Sequence, residues 1–386
     1  MKAERRVVTL GEVATVQSGF AFKSSQWTKT GVPVVKIANV KSGRIDLTSN
    51  QSFVSESDAE KAARFRLQHG DIVIGMTGYV GEVAQVRSND HLLLNQRVGL
   101  IQIDESKADR QYLFHLMNGE GFRSQAKALA YGSAQPNISP SLLHSIEIEL
   151  PSIDEQRTIA ATLGALDDKI ESNRQAMATG ESLIRAVVES TLDASEGEDG
   201  TLGDYCALVK APVEIDKIDP DDNYIGLEHM PRGSIFLTEW KKAKGLGSNK
   251  TAFKRGDLLF GKLRPYFKKV GIAPIDGVCS TDILVVRPKS PRDIALVTAV
   301  AASDALIDSL SASSTGTRMP RASWKDLAAW RVPVLTATER IELSARVDPL
   351  VERLTQLTFE SHRLVALRDA LLPELLSGGL RVPVTS

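Results

Sequence analysis

The chain has 386 residues, 42% hydrophobic and 25% charged, with a formal net charge of −1. That composition supplies ordinary cores, excludes a disordered tail and argues against a uniformly basic nucleic-acid binder. Two cysteines, Cys206 and Cys279, exclude a disulfide framework and any CxxC metal site, and fit a reducing cytoplasm.

The opening MKAERRVVTLGEV has no apolar h-region, and no run approaches 18 apolar residues, so neither secretion nor a membrane span is expected. Val34-Val35-Lys36-Ile37, Gly70-Asp71 leading into Ile72-Val73-Ile74, Val98 to Ile103 and Ile146 to Leu150 read as strands. Arg110 to Leu129 reads as a helix between them. Past Glu155 the apolar positions fall at Ile159, Leu163, Leu166, Ile170, Met177, Ile184, Val187 and Thr191, with Asn173 and Gly180 in the weaker places. Steps of four and three over four heptads make a coiled-coil seam. Asp154 is the expected N-cap of this helix. Asp257 to Phe260 and Asp282 to Val286 read as strands again, with a helical pattern at Ile294 to Leu310. A second seam follows at Leu343, Val347, Leu350, Leu354, Leu357, Ser361, Leu364, Arg368, Leu371 and Leu375, with Thr338 as expected N-cap and Gly378-Gly379 as the stop.

The second set of elements repeats the first. Thr9-Leu10-Gly11-Glu12 recurs as Thr201-Leu202-Gly203-Asp204, and Gly70-Asp71-Ile72-Val73-Ile74-Gly75 as Gly256-Asp257-Leu258-Leu259-Phe260-Gly261. Gly132-Ser133-Ala134-Gln135-Pro136 recurs as Gly316-Thr317-Arg318-Met319-Pro320, and from there the offset stays at 184. Four matches in one order mark a tandem duplication. The expected fold is α+β: a mixed α/β globular part and a long helix, used twice, the helices pairing as an antiparallel coiled coil with pseudo-twofold symmetry. The boundaries are 1–151, 152–195 (first long helix), 196–335 and 336–386 (second long helix and tail).

Charge is unevenly spread. Glu147 to Gly200 holds 13 acidic and 4 basic residues; Lys241 to Val270 holds ten basic residues and one acid, Asp257. Such asymmetry marks either a nucleic-acid surface or a solvated lysine-rich loop. A pseudo-dimer suits DNA, because dimeric readers match half-site spacing to their own twofold geometry, and two diverged copies would read two different half-sites.

Asp257-Leu258-Leu259-Phe260-Gly261-Lys262-Leu263-Arg264-Pro265-Tyr266 with Lys268-Lys269-Val270, and Gly316-Thr317-Arg318-Met319-Pro320-Arg321, resemble the target-recognition domains of type I restriction–modification specificity subunits. The run Leu-Pro-Ser-Ile-Asp-Glu-Gln-Arg at 150–157 and the ending Leu371 to Leu380 resemble that family's helix boundaries. The resemblance covers nearly the whole chain. It departs at Thr336-Ala337-Thr338-Glu339-Arg340, where a Pro-x-x-x-Glu-Gln pattern would stand, and at Gly75-Met76-Thr77-Gly78-Tyr79, where the second copy has Lys-Leu-Arg-Pro-Tyr. It implies two target-recognition domains (1–151 and 196–335), each reading half of a bipartite asymmetric site in double-stranded DNA, with two spacer helices acting as a ruler. Implied partners are two modification (methyltransferase) subunits and restriction/translocase subunits in the cytoplasm. It implies docking of the methyltransferases on the helices, placed here at Ile159, Leu163, Leu166, Ile170, Leu343, Val347, Leu350 and Leu354.

The DNA-contact candidates are Lys262, Arg264, Tyr266 and Lys268, alternating beyond a strand, with Arg318 and Arg321 about a proline that stiffens their loop. In the first copy they are Thr77, Tyr79, Gln135 and Asn137, with Lys36, Lys41 and Arg44 for phosphates. Arginine suits guanine and either cation a phosphate, while Gln and Asn suit adenine edges. Nothing catalytic is expected. The sequence lacks an Asn-Pro-Pro-aromatic or Asp-Pro-Pro-aromatic motif, an FxGxG loop, a GxxxxGK[ST] P-loop and an HExxH zinc site, and Glu105-Ser106-Lys107 is an ExK without its Pro-Asp. No cofactor is expected on this chain; S-adenosylmethionine, ATP and Mg would sit on partner subunits. Alternative readings are a stand-alone bivalent DNA-binding protein and a protein-only coiled-coil scaffold.

Overall fold

The computed structural model describes residues 5–41, 43–47, 50–87, 91–132, 135–195, 198–312 and 320–382. Each globular part begins on the same local device. Thr9 N–H donates to Glu12 Oε1 (2.7 Å) and Thr201 N–H to Asp204 Oδ2 (2.8 Å), so both Thr-Leu-Gly-acid motifs close a capping box on a single helical turn. The strands in front of them pair alike, Arg6–Thr9 antiparallel to Glu147–Leu150 and Glu198–Thr201 antiparallel to Arg331–Val334. Gly70 (φ +88°) and Gly256 (φ +84°) then turn the chain into the central strands, a left-handed conformation open to glycine at no steric cost.

The chain divides into two compact units, Met1–Asp168 with Leu364–Ser386, and Lys169–Arg363. In the first, a sheet runs in the order Ala14–Ser18, Val98–Ile103, Ile72–Gly75, Val83–Gln85, Gly43–Ile45, Val40–Lys41. Period-two alternation gives this sheet two apolar faces. Val73, Ala84 and Val98 meet Val34, Val54 and Leu93 of a second sheet, while Ile72, Ile74 and Ile101 meet helical residues Leu113, Met117, Ile159 and Leu163. The second unit repeats this with Leu259, Ile283 and Val285 toward Ile225 and Phe253, and Leu258, Phe260, Leu284 and Val286 toward the helices. The expected helix at Arg110–Leu129 is two, Arg110–Asn118 and Glu120–Leu129, parted at Gly119; its counterpart is likewise Ile294–Ala301 and Asp304–Ala312. No single helix among the described residues is long and apolar enough to cross a membrane.

The long helices are Ile153–Ala194 and Ala337–Ser377. Their caps differ from the expected ones. Ser152 Oγ accepts from Glu155 N–H (3.3 Å), and Thr336 forms a capping box with Glu339, so the N-caps are Ser152 and Thr336, not Asp154 and Thr338. Gly378, at φ +74°, ends the second helix.

Within each unit the helical segments run antiparallel on the expected seam. In the second, Asn173 Nδ2 donates to Glu360 (2.9 Å), Thr358 lies on Met177, and a Cβ on Gly180 would come within 2.8 Å of Leu354. In the first, Arg368 pairs with Asp167 (2.9 Å), while Ile159 and Leu163 share a core with Leu371 and Leu375. The seam's polar places are therefore filled by side chains that bond each other.

The departure at Arg340 has its own structural answer. In the first unit Gln156, 1% exposed, accepts from Asp109 N–H (2.9 Å) and donates to Pro151 O (2.9 Å). At the corresponding place Arg340 instead forms a two-point ion pair with the carboxylate of Asp293, which is 2% exposed.

Candidate nucleic-acid interface

In each unit the central strand ends in a loop clasped by a second loop, and the clasp is the same. In the first, Gly78 N–H donates to Pro136 O (2.8 Å) and Ile138 N–H to Met76 O (2.9 Å), bridging Thr77 with Asn137. In the second, Arg264 N–H donates to Pro320 O (2.9 Å) and Ala322 N–H to Lys262 O (2.9 Å), bridging Leu263 with Arg321. One backbone frame thus carries two sets of side chains.

In the first unit the frame gathers Thr77, Tyr79, Gln135 and Asn137, as expected, and adds Tyr131. Thr77 Oγ1 donates to Asn137 Oδ1 (2.7 Å), and Asn137 Nδ2 donates to the Tyr131 hydroxyl (2.9 Å). Much of the hydrogen-bonding capacity of Asn137 is therefore spent inside the protein, so it serves as a tie more than as an adenine reader. Tyr79 and Tyr131 stand 57% and 56% exposed. Gln135 is exposed beside the Gly78 turn, and Lys41 lies over the Tyr79 ring (5.7 Å). Lys41 and Arg44 face each other across a two-strand pairing, whereas Lys36 is drawn over Trp27 (4.7 Å). Tyr131 is missed from the sequence because it sits at the end of a helical pattern. Replacing Asn137 with alanine strands the Thr77 hydroxyl, 8% exposed, and should cost about 1–3 kcal/mol of unfolding free energy in urea titration. Gln135→Ala should leave that midpoint unchanged.

In the second unit the expected alternation stops early. The strand ends at Gly261; Arg264 takes φ +51°, Pro265–Phe267 forms a 3₁₀ turn and Lys268 takes φ +49°. The residue before a proline is disfavoured in the right-handed helical region, and Arg264 turns left-handed instead. Hence Lys262, Arg264, Tyr266 and Lys268 do not share one strand face. Lys262 Nζ donates to Thr281 O (2.5 Å), Arg321 pairs with Asp282, and Lys268 pairs with Asp304. Arg264 is exposed over the Phe267 ring (5.9 Å), with Tyr266, 48% exposed, edge-on to it. Arg232, unmarked by any motif, comes from a separate loop to within 3.9 Å of the same ring. Arg318 lies outside the described residues.

The ten-cation segment is not one patch. Lys250 is 5% exposed and donates to Ser248, Arg255 reaches Glu352, and Lys269 donates to Leu227 O. The helix positions assigned to docking need a similar correction. Ile159, Leu163, Leu343, Val347 and Leu354 are at most 3% exposed, and Leu166, Ile170 and Leu350 are half-buried. The five buried seam residues have no face left for a partner. The exposed apolar positions are instead Leu183 and Leu367, each 48% exposed and 184 residues apart, with Ile341 at 54%.

Residues 3–179 match the family model described as the type I restriction modification DNA specificity domain. The first half of the chain is similar to that family. It is 35% identical over 174 residues to the type I restriction enzyme MjaVIII specificity subunit of Methanocaldococcus jannaschii, covering 44% of this chain and 41% of that one. It is 26% identical over 190 residues to the EcoBI specificity subunit of Escherichia coli, covering 49% and 38%. These alignments span about two fifths of the relatives' own length. The crystal structure of the type I restriction–modification S subunit from M. genitalium superposes with a TM-score of 0.60 at 15% identity, covering 100% of this chain and 98% of that one, and so shares the duplicated fold. Within that fold the two copies part company in chemistry at their clasped loops, polar and aromatic in one and cationic in the other.

Proposed function

We propose that the chain is the DNA-recognition subunit of a type I restriction–modification complex, with target-recognition domains at 1–151 and 196–335 that each read half of a bipartite, asymmetric site. The observation carrying this reading is the repeated clasp, one backbone frame presenting Thr77, Tyr79, Tyr131 and Gln135 in one unit and Lys262 and Arg264 in the other, where Arg232 joins from a separate loop. Identical scaffolds with unlike tips suit two unlike half-sites. Lys41, Arg44 and Lys262 take phosphates, whereas Arg264 and Gln135 take base edges. The chain supplies no catalytic group. Methyl transfer and ATP-driven cleavage belong to two methyltransferase subunits and restriction/translocase subunits, which carry S-adenosylmethionine, ATP and Mg. The methyltransferases dock on the outer helix faces marked by Leu183 and Leu367.

The test is to replace residues 201–335 with those of a relative, express the chain with its modification subunits, and sequence methylated adenines. One half-site should change and the other persist. An unchanged pattern would refute the assignment of separate half-sites. Binding should also weaken steeply with salt, because phosphate contacts release counterions.

A further inference from the structure

In the second unit the first long helix fastens a loop that ends at the reading tip. Ser234 Oγ donates to Glu181 Oε1 (2.6 Å), and Ile235 N–H donates to Oε2 of the same carboxylate (3.1 Å). One turn further along the helix, the Arg185 guanidinium donates to Gly233 O (2.8 Å) and Ala302 O (3.4 Å). The latter carbonyl closes the C-terminal end of the Ile294–Ala301 helix, where a cation is favoured. On its other side the loop meets the tip. Gly233, at φ +78°, donates its N–H to Lys268 O (3.1 Å), and Arg232 lies 3.9 Å from the Phe267 ring that Arg264 also faces (5.9 Å).

We propose that Glu181 and Arg185 are positioning residues for reading the second half-site: they hold residues 232–235 against the helix, so that Arg232 and Phe267 keep Arg264 aimed at its base edge. The role rests on the DNA-recognition reading above, and both residues act through the loop without touching DNA. Arg232 and Arg264 are exposed on one ring, and neither pairs with a carboxylate among the described residues. A third cation crowds them, since burial and then the Arg232 charge hold Lys269 below its ordinary range. Like charges gathered in this way push one another apart until an anion arrives. A functional constellation tolerates only about 0.5 Å or 10–20° of drift, so a tip under such repulsion needs an anchor outside itself.

The first copy shows that the fold does not need this tie. In the 184-residue frame the places of Glu181 and Arg185 are held by Val365 and Asp369, yet the same clasp closes there. Its tip carries Tyr79 and Gln135 and has no pair of arginines to align. Valine also avoids a cost that glutamate incurs. Burial pushes the Glu181 carboxyl above its ordinary range, against the bonds from Ser234 and Ile235 that favour its charged form. A carboxylate kept where valine serves the other copy points to use of its two acceptor oxygens.

The test uses the full chain with its modification subunits, on duplexes carrying the site that the wild-type complex methylates. A single mismatch ordinarily weakens binding by roughly 5- to 150-fold. In Glu181→Val, which takes the first copy's residue type, that penalty should shrink by about threefold or more in the second half-site and stay within about twofold across the first. Glu181→Gln keeps one acceptor and should fall between. Each penalty compares two affinities of one preparation, so partial unfolding, which lowers both alike, does not move it. Ser234→Ala removes one bond of the tie without altering the helix and should act in the same direction. Unchanged penalties in Glu181→Val (or in Ser234→Ala, should the first variant not fold), or an equal loss at both half-sites, would overturn the positioning role. A wild-type complex without two half-sites would overturn the DNA reading itself, and this role with it.

Discussion

Replacing Arg264 with glycine should weaken DNA binding while leaving the protein as stable as before, or more so. Arg264 holds φ +51° and ψ +66° at the place where the first copy has Gly78 at φ +70°. A non-glycine residue in that region is strained by roughly 1–2 kcal/mol, whereas glycine gives back about 0.5–1 kcal/mol through the unfolded chain's entropy. The net effect on folding lies between zero and about 1.5 kcal/mol of stabilisation. Local strain kept where glycine would serve points to a side chain retained for contact. Loss of an arginine reading a base costs about 1–3 kcal/mol, or roughly 5- to 150-fold in affinity, confined to one base pair of one half-site. Lys262→Ala should weaken all sequences alike if Lys262 grips a phosphate. Binding titrations on matched and single-mismatch duplexes, beside thermal unfolding, separate the two. A less stable Arg264→Gly protein with normal affinity would assign Arg264 to the fold.

The largest expected loss of stability is at Arg340. Its guanidinium neutralises the Asp293 carboxylate, which is 2% exposed. Removing one member of a buried pair costs about 3–5 kcal/mol, and because the Arg340 side chain is 36% exposed the lower end applies. Burial holds the Asp293 carboxyl above the usual range, opposed by its bonds from Arg340 and from Ser290. Arg340→Ala removes an opposing influence and raises it further. A carboxyl whose folded pKa is raised binds its proton more tightly in the folded state, so stability is lost as pH rises from about 4 through the folded value. The variant's deficit should therefore be widest at neutral pH and shrink on acidification toward pH 4. Arg340→Gln, which restores the first copy's residue type, should fall between. Urea midpoints at several pH values measure this; a deficit constant with pH would remove Asp293 as the cause.

Local rules were legible in the sequence wherever both copies obey them. The Thr-Leu-Gly-acid caps, the Gly-Asp turns and the 3.5-residue seams recur in the same order, and each depends on neighbours a few residues away, so the duplication and its α+β elements followed from order and local pattern. Caps slipped by two residues, because Ser152 and Asp154, like Thr336 and Thr338, are all competent residues and the entry angle of the chain chooses between them. Only the tertiary structure decided which cations are available. Lys250 and Lys269 turn inward, Lys268 and Arg321 meet carboxylates from distant segments, and Arg232 joins Phe267 from a loop with no motif. The seam leucines likewise read as a docking stripe until the fold buries them against their own chain. Charge and apolar character are properties of residues, but exposure is set by contacts between residues dozens to hundreds apart, and no local period encodes those.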